Sequence, residues 1–418
     1  MVPVDYHRRA MDDELDRLLP LSPAIALEGA KGVGKTDTAR RRARTTYFLD
    51  DPDDLAAFQA DPRAIRDTAA PILLDEWQRH PASWDVVRRW VDAGAEPGSA
   101  LLTGSAGLGS GVDTHSGAGR ILTRRMRPMA LFERGATRWS VSLSGLLTGS
   151  SDVSGSTTLR AGDYLAQITE SGFPGIRAAP PEVQRDLLDA YVAAIIDRDL
   201  PESGVQVRRK ETLRRWLTAY AAASSSTTAY SKILDASTAG DGSQPAKTTT
   251  ITYRDHLTSI FVLDPVPGWS PSANPFAPLQ VGPKHQLVDP ALAARMLGHT
   301  AASLQGTRGR ALTGPLFESL ATLSVRVAAE RARARVGHLR TRQGDREVDL
   351  VVEGPEGQVL GVEVKWSREV GDADVKHLHW LRDKMGADCV DTLVLSTGSR
   401  AYRRRDGVAV VPLALLGA

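Results

Sequence analysis

A single cysteine, Cys389, stands in 418 residues, so an internal disulfide is excluded and a reducing compartment fits. Charge of one sign is equally scarce: 52 basic against 50 acidic residues leave a formal net charge of +2. Bulk attraction to nucleic acid is thereby excluded, and any such attraction must come from local patches. No stretch approaches the roughly 20 uninterrupted apolar residues of a membrane span, so no membrane partner is expected. The opening MVPVDYHRRAMDDELDRLL carries acids and no apolar core before a cleavage site, which argues against a signal peptide and for a soluble, cytoplasmic protein. The nine histidines show no zinc-ligand spacing.

The apolar fraction of 42% is that of a folded protein, and the length exceeds one typical core, so two or three domains are expected. Residues 1–20 read as an amphipathic helix. From Ala24 the apolar runs AIALEG, TYFLD, PILLDE and ALLTGS alternate with helical segments. Their continuous hydrophobicity points to buried parallel strands in an α/β sheet. Gly/Ser-rich stretches at Gly104–Gly119 and Ser142–Thr158 read as loops. Residues 160–223 read as helical, and three short helices followed by the apolar IFVLDPV suggest a winged-helix-like module. In its third helix Lys247, Thr248, Tyr253 and Arg254 are candidates to reach bases. From about Gly314 a second α/β unit follows.

The stretch Gly29-Ala30-Lys31-Gly32-Val33-Gly34-Lys35-Thr36 lies between an apolar run and a helix-compatible segment, the context that a phosphate-binding loop requires. Its glycines let backbone N–H groups turn towards phosphates, and the following helix start adds partial positive charge. Lys35 is expected to neutralise the β/γ-phosphate oxygens of ATP, and Thr36 to offer its hydroxyl to Mg²⁺. Asp75 and Glu76, at the end of PILLDE, are expected to hold the Mg²⁺ water shell and to polarise the attacking water. Thr103 or Ser105, ending LLTGS, is a candidate γ-phosphate sensor. In the arginine-dense GAGRILTRRMRPMALFERG, Arg120 is the first candidate for an arginine that stabilises the transition state and Arg127 the second. Acting in trans, such an arginine would require self-association.

GAKGVGKT, ILLDEWQ, LLTGSA, GAGRI, RMRPMALFE, SGFPG and IIDRDL occur here in an order that resembles the prokaryotic AAA+-like ATPases with a C-terminal domain of unknown function. The resemblance covers nearly the whole chain. It implies an ASCE-type P-loop ATPase core at 1–158, a helical linker or lid at 159–204, a winged-helix-like module at 205–290 and a domain similar to the restriction-endonuclease fold at 291–418. The Ser/Gly insertion near Ser142–Thr158 and the Ser-rich middle depart from the family pattern.

In the C-terminal unit, Glu347-Val-Asp349 and then Gly361-Val-Glu363-Val-Lys365 put Glu363 and Lys365 on one face of a strand. This resembles the PD-(D/E)XK nucleases. By that resemblance Asp349 and Glu363 would ligate a second Mg²⁺ or Mn²⁺, Glu318 would complete the acidic cluster, and Lys365 would orient or deprotonate water. The wet face of a half-buried strand gives the same pattern, so cleavage is left open. Arg326, Arg331, Arg333, Arg335, Arg340, Arg342 and Arg346 lead into this set and Arg400, Arg403, Arg404 and Arg405 follow it; such clusters pair with DNA phosphates. The expected protein is thus a multidomain α/β ATPase whose nucleotide state controls a DNA-binding domain. The alternative is a regulatory ATPase with a catalytically silent protein-interaction domain.

Overall fold

The computed structural model describes residues 6–105, 117–136, 138–202, 210–238, 247–272, 274, 276–341 and 344–418. Most of the Gly104–Gly119 stretch and Arg342 lie outside them, as does the side chain of Lys247.

Helix α1 (Ala10–Leu18) turns Met11, Leu15 and Leu18 inward. Strands β1 (Ala24–Glu28), β2 (Thr45–Phe48), β3 (Ile72–Asp75), β4 (Ala100–Gly104) and β5 (Leu122–Arg125) form one sheet in the order β2-β3-β4-β1-β5, parallel at every step. The central strands must be apolar on both sides because each side feeds a core. Ile25, Leu27, Leu73 and Leu101 face α1 and the rest of the molecule, whereas Ala26, Ile72, Leu74 and Leu102 pack with Trp77 and Trp84. Helices α2 (Lys35–Arg40), α3 (Pro52–Ala60) and α4 (Ala82–Asp92) follow β1, β2 and β3. Strand β5 was not among the expected strands. Its Leu-Thr-Arg-Arg carries no apolar run because it is an edge strand, paired only with β1.

The Ser142–Thr158 segment is corrected from a plain loop. It begins with β6 (Val141–Ser142) and α5 (Leu143–Leu147), with Leu143 and Leu146 fully buried. Helices α6 (Ala161–Thr169), α7 (Pro174–Arg177) and α8 (Pro181–Ala194) come next, and α8 runs through a π-helical turn, Ile195–Asp199, into α9 (Leu200–Glu202). Helices α10 (Lys210–Ala222), α11 (Tyr230–Thr238) and α12 (Lys247–Ser259) follow. After them, antiparallel bridges Leu263–Leu287 and Val266–Lys284 lay two short segments side by side. Tyr253 of α12 is buried, whereas Arg254 is half-buried, lies over the Tyr230 ring and pairs with Asp255.

The C-terminal sheet begins with β7 (Gly268–Trp269). Helices α13 (Pro290–Met296), α14 (Ala301–Gln305) and α15 (Arg310–Arg331) lead to β8 (Arg335–Arg340), β9 (Glu347–Glu353), β10 (Val359–Val364), α16 (Asp372–Met385), β11 (Cys389–Ser396), β12 (Tyr402–Arg403) and β13 (Ala409–Pro412). Seven strands pair in the mixed order β12-β13-β11-β10-β9-β8-β7. Leu378 and Leu381 of α16 cover one face, and Leu316, Phe317 and Leu320 of α15 share a core with the other. Strand β14 (Leu416–Gly417) pairs with β6, tying the chain's last residues to the first unit.

Where the units meet, one buried carboxylate gathers three arginines. Asp264 accepts from Arg127 Nε at 2.7 Å and lies 3.0 Å from both Arg125 Nη1 and Arg326 Nη1. Arg127 also pairs with Glu330 of α15. Arg331 reaches Asp13 of α1 at 3.1 Å. The chain is a mixed α/β protein with a five-stranded parallel sheet in its N-terminal part.

Candidate nucleotide site and C-terminal carboxylate cluster

Strand β1 ends in the glycine loop, and the loop closes into α2. Gly32 and Gly34 take φ of +77° and +98°, which only glycine adopts without strain. Gly29 has a second constraint: a Cβ there would stand 2.1 Å from the Met126 carbonyl oxygen just after β5. A backbone oxygen cannot give way cheaply. Gly29→Ala is accordingly expected to cost roughly 2–4 kcal/mol, read as a lowered urea midpoint.

Lys35 is buried, and its ammonium donates to the loop's own carbonyls, Gly29 O at 2.8 Å and Ala30 O at 3.0 Å. Burial pulls it down to about 8, although the charges of Glu76 and Asp75 oppose this. Two hydroxyls from different elements converge on Asp75 Oδ1: Thr36 Oγ1 at 2.8 Å from the start of α2, and Thr103 Oγ1 from β4. The strand order explains this convergence, because β4 stands between β1 and β3. Glu76 adopts φ +52° and ψ +43°, a left-handed conformation uncommon outside glycine that turns the chain straight after β3. Its Oε2 accepts from Gln78 Nε2 and from Ser105 Oγ at 3.2 Å.

The segment after α6 covers the loop. A Cβ on Gly32 would meet the Phe173 ring, and Tyr191 of α8 donates its hydroxyl to Lys31 O at 3.2 Å. Lys31 pairs with Asp199. From the other side Arg9, itself buried, donates to Val33 O at 3.0 Å and Arg127 O at 2.9 Å. Of the two candidate arginines, Arg120 pairs with Asp92 at the end of α4 and Arg127 lies in the Asp264 hub. Neither is among the contacts of Lys35, Thr36 or Asp75.

The C-terminal candidates are brought together, but around a lysine. The Lys284 ammonium donates to Glu318 Oε1, Asp349 Oδ1 and Asp349 O, while Lys365 Nζ donates to Glu363 Oε2 at 2.8 Å. Burial and the Asp349 charge push Glu318 up to about 8 against Lys284, and the same two causes hold Glu363 well above its ordinary range. Burial acts on Asp349 too, yet Lys284, Lys365 and the Val364 N–H outweigh it and hold the carboxyl low. Among the described residues no group of three or more His, Cys, Asp or Glu is arranged to hold a metal ion. The residues do not fit a second Mg²⁺ or Mn²⁺.

Residues 21–134 match the family described as "AAA domain". The glycine loop, Asp75, Glu76 and Thr103 all lie inside this match, so the N-terminal part of the chain is similar to that family. Residues 162–303 and 313–416 match two further families, "Domain of unknown function (DUF8612)" and "Domain of unknown function (DUF4143)". Uncharacterized protein Rv2008c of Mycobacterium tuberculosis and Uncharacterized protein Mb2031c of Mycobacterium bovis are each 29% identical over 370 residues, covering 86% of this chain and 74% of theirs. Two solved structures overlap loosely. The Walker-type ATPase PABY2304 of Pyrococcus abyssi has a TM-score of 0.42 at 15% identity, over 70% of this chain and 96% of that one. The ORC2 protein of Aeropyrum pernix, in ADPNP–ADP complexes, has a TM-score of 0.29 at 14% identity, over 71% and 93%. Among the described residues no helix is long and apolar enough to cross a membrane.

Four residues at these sites went unassigned from sequence: Arg9, Gln78, Tyr191 and Lys284. Gln78 sits inside ILLDEWQ and was within reach of motif reading. Arg9 and Tyr191 act across more than a hundred residues of chain, through backbone carbonyls, and nothing in the local sequence marks such contacts.

Proposed function

We propose that this chain binds ATP at residues 29–36 and hydrolyses it. The observation that carries this reading is the convergence of Thr36 and Thr103 on Asp75 beside a buried P-loop lysine. Thr36 and Asp75 would hold Mg²⁺, since a hydroxyl and a carboxylate oxygen are the hard donors this ion takes. Bound there, the ion would offset negative charge on the phosphate oxygens. Loop N–H groups and Lys35 bind the β- and γ-phosphates, with Lys35 exchanging its loop carbonyls for phosphate oxygens. Glu76, fixed by Gln78 and Ser105, orients and polarises the water. That water attacks the γ-phosphorus, the bond to the bridging oxygen of ADP breaks, and inorganic phosphate leaves. Thr103 acts as a positioning residue through Asp75.

Glu76→Gln is expected to keep nucleotide binding and lower phosphate release by about 10²-fold or more. A fluorescent-nucleotide titration and a phosphate-release assay on the same protein check both halves. Wild-type rates in Glu76→Gln would remove Glu76 from the mechanism. An arginine at the γ-phosphate would require Arg120 to leave Asp92, within its own subunit or towards a neighbouring copy. A specific rate that climbs with protein concentration would mark the second route and self-association.

For the C-terminal domain, nucleotide state has a physical route: the Asp264 hub, the Arg331–Asp13 pair and the β6–β14 pairing all join it to the ATPase unit. Its ligand is the open matter. Arg331, Arg340, Arg403 and Arg404 are engaged with acids of the chain itself, as Arg326 is with Asp264. This supports the regulatory-ATPase reading, in which the domain contacts protein, over a broad DNA-binding face. Arg333, Arg335, Arg400 and Arg405 stay exposed and would be the phosphate contacts if DNA is the ligand. Duplex binding that changes between ADP and a non-hydrolysable ATP analogue, and that weakens in a Arg333→Ala/Arg335→Ala chain, would restore the DNA reading.

A further inference from the structure

The carboxylates that the nuclease resemblance assigns to a divalent metal already surround a cation from their own chain. Lys284 is fully buried. Its ammonium lies 2.7 Å from Glu318 Oε1, 3.1 Å from Asp349 Oδ1 and 3.3 Å from the Asp349 carbonyl, with Glu347 Oε1 at 3.7 Å. An ammonium has three protons to donate, and three acceptors stand ready for them.

Further oxygens of the cluster are engaged within the chain. Asp349 Oδ2 accepts the Val364 N–H at 2.9 Å, and Glu363 Oε2 accepts from Lys365. Among the described carboxylate oxygens of the cluster, Glu363 Oε1 is buried with no partner. A hard divalent ion takes about six oxygens and would have to enter beside two ammonium groups, Lys284 and Lys365, that already hold Glu318, Asp349 and Glu363. Lys284 is also anchored through its main chain. Its backbone exchanges two 2.9 Å hydrogen bonds with Val266, so the ammonium is delivered from a fixed strand pair.

We propose that the Lys284 ammonium takes the place of the metal in this carboxylate cluster, so that the C-terminal domain works without a divalent ion and does not cleave phosphodiester bonds. The cluster joins three pieces of the chain: the 263–287 strand pair, α15 through Glu318, and β9 through Asp349. It acts as an internal ionic clasp. This inference stands apart from the ATPase reading and survives if that reading fails.

The test uses the 418-residue chain carrying Asp75→Asn, which removes the carboxylate paired with Thr36, and titrates Mn²⁺ alone while the free-ion electron paramagnetic resonance signal is followed. With Lys284 intact, no stoichiometric Mn²⁺ uptake is expected. Adding Lys284→Met is expected to create one equivalent of uptake, abolished again by Asp349→Asn, and to let Mn²⁺ raise the melting temperature. Stoichiometric uptake with Lys284 intact that disappears in Asp349→Asn would overturn the proposal. So would a folded Lys284→Met protein that takes up none. Should Lys284→Met not fold, the Lys284-intact titration decides alone. Mn²⁺-dependent plasmid nicking by wild type, lost in Asp349→Asn, would likewise overturn it.

Discussion

Lys35→Met is expected to abolish ATP turnover and, in the nucleotide-free protein, to make the fold harder to unfold. The two effects share one cause. At neutral pH the Lys35 ammonium is buried against backbone carbonyls, and burial brings it from 10.5 to about 8. Each unit of such a shift corresponds to about 1.4 kcal/mol, so the charged group costs the empty fold on the order of 3–4 kcal/mol. Methionine fills similar space without the charge. The sign in pH follows from proton counting. Between about 8 and 10.5 the unfolded chain holds a proton on Lys35 that the folded chain has lost, so wild-type stability from this group rises with pH across that window. Lys35→Met lacks the rise. Urea midpoints at pH 7 and pH 10 for both proteins, without nucleotide, measure it. A Lys35→Met midpoint below wild type at pH 7 would show that the loop carbonyls stabilise the ammonium more than burial penalises it.

The second large effect is expected at Asp264. Burial alone would push this carboxyl up, but Arg127, Arg326 and Arg125 outweigh it and hold it well below the ordinary carboxylate range. Asp264→Asn keeps the shape and removes the charge that three guanidinium groups share. Removing one partner of a buried ion pair costs on the order of 3–5 kcal/mol, and here several arginines lose theirs. Because the hub joins β5, the segment after α12, and α15, the loss should appear as uncoupling of the N-terminal unit from the C-terminal domain. Two transitions would replace a shared one in calorimetry. For wild type the contribution is complete above the unfolded carboxyl's value of about 3.9 and is lost as pH falls below it. Asp264→Asn should be flat over that acidic range. A single unchanged transition in Asp264→Asn would mean that the hub does not hold the units together.

Much of the candidate site was legible because a glycine loop is local. Gly29 to Thr36 are contiguous, and their glycines are dictated by backbone geometry that the sequence states directly. Asp75 and Glu76 end a continuous apolar run, and such a run marks a strand buried on both sides. By contrast β5 hid behind arginines, because an edge strand needs no apolar run. The Ser142–Thr158 stretch looked like a linker because a two-residue strand and a five-residue helix leave almost no periodic signal. The C-terminal motif placed Glu363 and Lys365 on one face by strand alternation, and the two side chains meet, but alternation says nothing about what stands opposite. Lys284 arrives there from a segment 65 residues before Asp349, and only the folded chain shows it.

What the sequence determined by itself was therefore what depends on neighbours along the chain: the phosphate loop, the acidic strand end, the alternating faces of β9 and β10. The tertiary structure alone decided which charges meet. It placed Thr36 and Thr103 on one carboxylate by inserting β4 between β1 and β3, and it turned Arg127 towards Asp264. It also set an ammonium where the sequence pattern suggested a metal. The reason is physical: electrostatic pairing falls off within a few ångströms in space and carries no memory of separation along the chain.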